Sequence, residues 1–137
     1  MSFRKVLVLD PSRAEREMLR RILVDAGYDA ETADDDQTFT KALEWWRPDA
    51  LVVDVEFDAD DGLDAPSAVE RARALRIACV VIGARTEASL ELSARELGAD
   101  GVFSTLGGYK GIQASLTAVA LLVEKRARAE TDKALDW

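Results

Sequence analysis

Short apolar runs of strand length alternate with amphipathic segments along most of this chain, and this alternation restricts the fold more than any other feature. Strand-like segments occupy residues 5–10, 28–33, 50–55, 77–82 and 101–105. Three of them are continuous apolar runs, which are typical of strands buried on both faces. The pattern predicts an α/β fold in which five parallel strands alternate with five helices that cover both faces of the sheet.

Composition excludes several classes of function. The net charge of −8 and the pI of about 4.6 argue against binding to nucleic acid or to an anionic membrane. The chain contains no histidine, which excludes a Ser–His or Cys–His catalytic pair and a zinc–histidine site. It has no apolar run near the ~20 residues that a membrane span needs and no signal-peptide cleavage pattern, so we expect a cytoplasmic protein.

Several side chains carry specific structural expectations. The single cysteine, Cys79, lies in the apolar run "ACVVI" and is expected to be a core thiol. Ser12 followed by Glu15 has the spacing of a helix capping box. We expect Leu75 to face inward from the third helix, and Trp45, which falls off the apolar stripe of the second helix, to pack partly on its neighbours.

Two aspartates terminate buried strands. Asp10 ends the first apolar run and Asp54 ends the run at 50–55. Because the carboxyl ends of parallel strands meet at one edge of the sheet, these carboxylates should lie close together where ligands bind in such folds. The residues alone leave four interpretations open: a general acid/base pair, a metal site, a phosphoacceptor with its metal, or two solvated loop acids.

The order of these elements resembles the response-regulator receiver domain of two-component signalling. The resemblance covers about residues 4–125 and rests on "VLVLD", "DAGYDAETA", "RPDALVVDV", the Asp61–Gly62 pair, "IGAR" and "ELGADGVFS". It implies a flavodoxin-like (βα)5 fold with strand order 2-1-3-4-5. We therefore expect a receiver-like domain at 1–125, followed by a helical extension or tail at 126–137.

The resemblance also assigns roles to the strand-end acids. Asp54 occupies the phosphoacceptor position, which in the family attacks a phosphohistidine of a partner kinase while Mg²⁺ offsets the charge. Asp10 occupies the first of two acidic positions that bind this metal, but the second position is Pro11. Proline cannot replace a carboxylate, so we expect at most weak Mg²⁺ binding by Asp10, Asp54 and Glu56, and no other cofactor.

Three further positions depart from the family pattern. Gly83 stands where the family has a phosphoryl-binding hydroxyl, and Thr105 stands where it has a lysine that pairs with a phosphoryl oxygen. Val102 replaces the aromatic residue that follows the movement of the hydroxyl. Lys110 lies five residues beyond the lysine position and is expected to be a solvated loop residue.

These departures predict a stand-alone pseudo-receiver: a non-enzymatic module that contacts a histidine kinase or a downstream target while its aspartyl-phosphate switch is impaired. A homodimer through the fourth helix, fifth strand and fifth helix is a further expectation from the family. The first alternative is a receiver that is still phosphorylated on Asp54 by a partner histidine kinase. The second is a small flavodoxin-like enzyme or nucleotide binder that uses the acidic edge.

Overall fold

The structure, a computed structural model, describes residues 5–135, in which five strands alternate with five helices. The strands are β1 (Lys5–Leu9), β2 (Asp29–Ala33), β3 (Ala50–Asp54), β4 (Ala78–Gly83) and β5 (Gly101–Ser104). The helices are α1 (Arg13–Asp25), α2 (Asp36–Lys41, continued by a π-helical turn at Ala42–Trp46), α3 (Ala65–Ala74), α4 (Glu87–Leu97) and α5 (Gly108–Leu135). The expected alternation is confirmed.

All neighbouring strands pair in parallel, in the order β2-β1-β3-β4-β5. This confirms the fold class and the strand order expected from the sequence. Strands β1 and β3 are neighbours although β2 separates them along the chain, so the strand order reverses between them. In open α/β sheets, ligands bind outside the carboxyl ends of the strands at such a reversal point.

Alternate strand residues enter two separate apolar layers. Leu7, Leu9, Leu51 and Val53 pack on one face with the buried side chains of α2, α3 and α4. The intervening residues of the same strands pack on the other face with α1 and α5. The apolar runs are thus continuous because both sheet faces are covered.

Two apolar side chains that were expected to pack are exposed. Trp45 is 83% exposed: it lies off the apolar stripe, as its position in the sequence indicated, while Trp46 packs on the core. Leu75 is 57% exposed, because it caps α3 with non-helical dihedrals and so leaves the stripe. The expected packing of Trp45 on its neighbours and the expected inward orientation of Leu75 were therefore both wrong.

The expectation for the single cysteine is confirmed. Cys79 is fully buried, and burial raises the pKa of its thiol to about 12, so it is a core residue as predicted. The inner stripe of α5, which includes Ile112 and Val123, is buried, and the helix continues to Leu135. Trp137 lies outside the described residues. Within the part of the chain that the structure describes, no helix combines the length and apolar character that crossing a bilayer requires.

Candidate functional site

The two strand-end aspartates meet at the carboxyl edge of the sheet. Leu9 of β1 lies beside Val53 of β3, so the residues that follow them, Asp10 and Asp54, are neighbours. Both side chains are removed from solvent, with Asp10 at 0% and Asp54 at 7% exposure. This burial contradicts the interpretation of two solvated loop acids and makes these carboxylates a site within the fold.

A backbone N–H two residues further on fixes each aspartate. Ser12 N–H donates to Asp10 Oδ1 at 2.8 Å, and Glu56 N–H donates to Asp54 Oδ1 at 2.8 Å. The second oxygen of Asp10, Oδ2, is buried and has no hydrogen-bond partner among the described residues. A buried polar atom without a partner carries a desolvation cost, so this oxygen is ready to accept a ligand.

A third carboxylate, which the sequence analysis did not place in the site, joins this pair. Glu15 lies in the first turn of α1, and one carboxylate oxygen from each of Asp10, Glu15 and Asp54 lies within 4.8 Å of the others. The sequence analysis had used Glu15 for a capping box with Ser12. Only half of that box forms: Ser12 Oγ accepts from the Glu15 N–H at 3.2 Å, while the Ser12 N–H bonds to Asp10 instead.

Burial and the neighbouring acids raise the pKa values of both strand-end aspartates. Burial raises the pKa of Asp10 to about 8, and the close approach of the Glu15 carboxyl and the charge of Asp54 act in the same direction. Burial also raises the pKa of Asp54, with contributions from Glu15 and Glu56, against a lowering by Arg85. Clustered carboxylate oxygens of this kind are the ligands that Mg²⁺ and Ca²⁺ prefer, so the residues fit a hard divalent cation.

The position expected to complete the metal site provides no ligand of this kind. Pro11 is exposed and has an apolar side chain. Glu56 lies two residues after Asp54, but its carboxylate forms an ion pair with Arg85 at 3.0 Å on the exposed side of the site. The sequence analysis also missed Arg85, whose charge acts on Asp54.

The end of β4 has neither a hydroxyl nor the space for one. A Cβ atom at Gly83 would lie 3.0 Å from Leu90 Cδ2 and 3.1 Å from Val55 Cγ1. Few Cβ contacts are this short, so a larger residue would require the Leu90 and Val55 side chains to shift by a few tenths of an ångström. The nearby hydroxyl of Thr86 is used to cap α4, because its Oγ1 accepts from the Ser89 N–H.

Ser104, the last residue of strand β5, and Thr105, which follows it, lie at the same carboxyl edge of the sheet. The Thr105 N–H donates to the Gly83 carbonyl at 2.9 Å, which places Thr105 beside the end of β4. The Ser104 hydroxyl donates to the Arg85 carbonyl at 2.6 Å and accepts from the Leu106 N–H at 3.1 Å. These bonds tie the loops after β4 and β5 together.

Neither Val102 nor the nearby Tyr109 places an aromatic ring at this edge. Val102 is half-buried and packs against the core layer of α2, α3 and α4. Tyr109 instead contacts α1, where its hydroxyl lies 3.4 Å from Asp25 Oδ2. Lys110 is exposed at the start of α5, in agreement with a solvated lysine.

A parallel sheet of order 2-1-3-4-5 is shared by flavodoxin-like proteins, and buried acids at its carboxyl edge are typical of their receiver class. Residues 6–105 match the family described as the response regulator receiver domain. The chain belongs to this family, which confirms the resemblance and makes the protein a receiver domain of two-component signalling.

Curated relatives agree with this assignment. The chain is 32% identical over 132 residues to the response regulator MprA of Mycobacterium ulcerans, a match that covers 96% of this chain and 55% of that protein. It is 36% identical over 96 residues to the response regulator MprA of Mycobacterium tuberculosis, covering 70% of this chain and 41% of the relative. The chain thus spans about half the length of the curated relatives it matches.

Solved structures share the fold. The chemotaxis response regulator CheY4 of Vibrio cholerae superposes with a TM-score of 0.70 at 24% identity, covering 86% of this chain and 99% of the other. A CheY-like receiver domain protein from Methanospirillum hungatei gives a TM-score of 0.71 at 16% identity, covering 91% and 99%. At these identities the similarity concerns the fold alone.

Proposed function

We propose that this chain is a pseudo-receiver: a cytoplasmic protein-interaction module whose aspartyl-phosphate switch is impaired. In this role it contacts a histidine kinase, a downstream target or a second copy of itself, and it catalyses no reaction of its own. The observation that carries the proposal is the packing at Gly83. The position that holds a hydroxyl in the family has no side chain here, and Leu90 and Val55 fill the space around it.

The physical consequence concerns the phosphorylated form. When an aspartate accepts a phosphoryl group, a new O–P bond forms at the carboxylate and the N–P bond to the donor histidine breaks. The added phosphoryl oxygens then need donors. A charge-assisted hydrogen bond contributes about 1.5–3 kcal/mol, and Thr105 supplies no cation at the lysine position.

The coupling to a distant surface is affected as well. In the family, the hydroxyl moves toward the phosphoryl group and an aromatic residue on β5 follows it. This chain has Gly83 and Val102 at those positions, so neither part of that movement has its side chain. We therefore infer that the surface formed by α4, β5 and α5 keeps one conformation whatever happens at Asp54.

Incubation with acetyl phosphate and Mg²⁺, followed by intact-mass analysis, tests the proposal. The expected result is no stable gain of one phosphoryl group, with the Asp54→Asn variant as the matched blank. An ordinary receiver domain treated in parallel controls for the reagent. A stable adduct on the wild-type chain that is missing from Asp54→Asn would refute the pseudo-receiver.

The second candidate, a receiver that a partner histidine kinase still phosphorylates on Asp54, is favoured by one observation. Asp54 remains at the acceptor position and lies in a cluster with Asp10 and Glu15 that fits a cation. Phosphotransfer from purified, autophosphorylated histidine kinases distinguishes this candidate. It fails if no kinase labels the chain in the presence of Mg²⁺ and if Asp54→Ala leaves signalling intact.

A further inference from the structure

We propose that Glu15, from the first turn of α1, replaces the carboxylate that Pro11 cannot supply, so that Asp10, Glu15 and Asp54 together bind a divalent cation. The three side chains come from different elements, β1, α1 and β3, and their oxygens converge within 4.8 Å. This assigns a metal-binding role to Glu15. It also changes the expectation of weak binding through Asp10, Asp54 and Glu56.

The buried oxygen of Asp10 provides a second observation. Asp10 is fully buried, and Oδ1 is satisfied by the Ser12 N–H, whereas Oδ2 has no partner in the described part of the chain. Native proteins satisfy nearly all buried polar atoms, and an unsatisfied one calls for a water, a ligand or an ion. A cation held between Oδ2 and the other two carboxylates would meet this need.

The helix start explains why Glu15 is available. At the start of α2 and of α3, the third helical residue, Thr38 or Ser67, closes a reciprocal capping box with the N-cap aspartate. At the start of α1 the N-cap N–H is already bonded to Asp10 Oδ1. The Glu15 side chain is therefore released from its capping role, and side chains in the first turn of a helix point back toward its N-terminus.

The described arginines near the cluster are engaged elsewhere. Arg16 donates to the backbone carbonyl of Asp10 and pairs with Asp34, while Arg85 pairs with Glu56. Among the side chains that the structure describes, none of the three carboxylates takes part in an ion pair. No described arginine therefore offsets their mutual repulsion, and three carboxylates suit a hard ion such as Mg²⁺, Mn²⁺ or Ca²⁺.

This inference does not require that Asp54 accept a phosphoryl group, so the two proposals can fail separately. Metal binding is measured without any phosphodonor, by following the free Mn²⁺ signal in electron paramagnetic resonance and by calorimetric titration with MgCl₂. The variants are Glu15→Gln, which keeps the size of the side chain and removes its charge, and Glu17→Gln as the control. Glu17 lies on the same helix and is exposed.

The expected result is one cation per chain in the wild type and in Glu17→Gln, with at least about tenfold weaker binding in Glu15→Gln. Circular dichroism and thermal melting verify that Glu15→Gln is folded. Equal affinity of the wild type and Glu15→Gln would overturn the role of Glu15. The absence of saturable binding to the wild type, or equal losses in both variants, would overturn the site.

A rescue experiment tests the replacement itself. If Glu15 supplies the charge that Pro11 lacks, then Pro11→Asp introduced into Glu15→Gln should restore most of the lost affinity. The fold of the double variant is verified as above. Failure of a folded double variant to regain affinity would show that Glu15 does not stand in for position 11.

Discussion

The two sides of the receiver site differ in what they keep. At the ends of β1 and β3, the acidic side, Asp10 and Asp54 are buried neighbours and Glu15 adds a third carboxylate. At the ends of β4 and β5, the response side, Gly83 has no side chain where the family has a hydroxyl, and Thr105 has no positive charge where the family has a lysine. The acidic side therefore keeps carboxylates that can bind a cation, whereas the response side lacks the side chains that contact a phosphoryl group in the family.

Under the proposed function, this difference separates binding at the site from the response to it. The acidic side consists of charges that need only lie close to one another, so one residue can be replaced by another from a neighbouring helix. The response side requires a side chain that moves between two packed arrangements. At Gly83 the packing of Leu90 and Val55 occupies the space into which such a side chain would extend.

The largest expected change in the free energy of unfolding comes from a substitution on the acidic side. Asp10→Asn removes a buried charge while keeping the acceptor for the Ser12 N–H, so it should raise the free energy of unfolding of the metal-free protein by roughly 2–4 kcal/mol at pH 8. Because the pKa of Asp10 is raised from 3.8 to about 8, the folded state binds the extra proton between these values. Wild-type stability is therefore highest below pH 3.8 with respect to this group and is lost as pH rises through 8.

Urea unfolding of both proteins at several pH values measures this effect. The advantage of Asp10→Asn should disappear below pH 3.8, where Asp10 is mostly protonated in both the folded and the unfolded wild type. Added Mg²⁺ should stabilise the wild type and leave Asp10→Asn nearly unchanged. A pH-independent difference between the two proteins would contradict the account of the acidic side.

The next largest effect concerns packing on the response side. Gly83→Thr should lower the free energy of unfolding by about 1–3 kcal/mol, because its Cβ would meet Leu90 and Val55 at about 3 Å. Gly111→Ala is the matched control, since a Cβ there meets nothing within 4 Å. Chemical denaturation compares the two variants. If Gly83→Thr were as stable as the wild type, the space would not be occupied and the comparison of the two sides would weaken.

A substitution can introduce a positive charge on the response side. Thr105→Lys places an amine at the position that pairs with the phosphoryl group in the family, so beryllofluoride with Mg²⁺ should bind about tenfold more tightly than to the wild type. Thr105→Gln has comparable length without charge and should show little gain. Equal gains in both variants, seen by calorimetry or fluorine NMR, would show that charge at this position is not what is missing.

The smallest expected effect concerns the exposed ion pair between the two sides. Arg85→Gln removes the partner of Glu56, but such surface pairs contribute little, and the free energy of unfolding should change by less than about 1 kcal/mol. The pKa of Asp54 should rise further, because Arg85 lowers it. Carboxyl-carbon NMR titration of Asp54 measures this change. An unchanged Asp54 pKa would show that Arg85 does not act on the acceptor.

Sequence reasoning reached the fold because alternating apolar runs and helix caps are local signals that agree with the global arrangement. It located Asp10 and Asp54 for the same reason, as strand ends of a parallel sheet. It missed Glu15 because the capping-box spacing gave this residue another partner. Only the competition between Asp10 and Glu15 for the Ser12 N–H, which depends on tertiary placement, decides between the two. Trp45 was correctly placed off the apolar stripe, but the sequence could not show that its ring would stay exposed.

The most direct test of the separation between the two sides is an amide NMR titration with Mg²⁺ and then beryllofluoride. The predicted result is that Mg²⁺ shifts the resonances of Asp10, Ser12, Glu15 and Asp54, while beryllofluoride adds no shifts in α4 or at Val102 and Phe103. Propagation of shifts from Asp54 into α4 and β5 would contradict the account, because it would show a response side that still follows the acceptor.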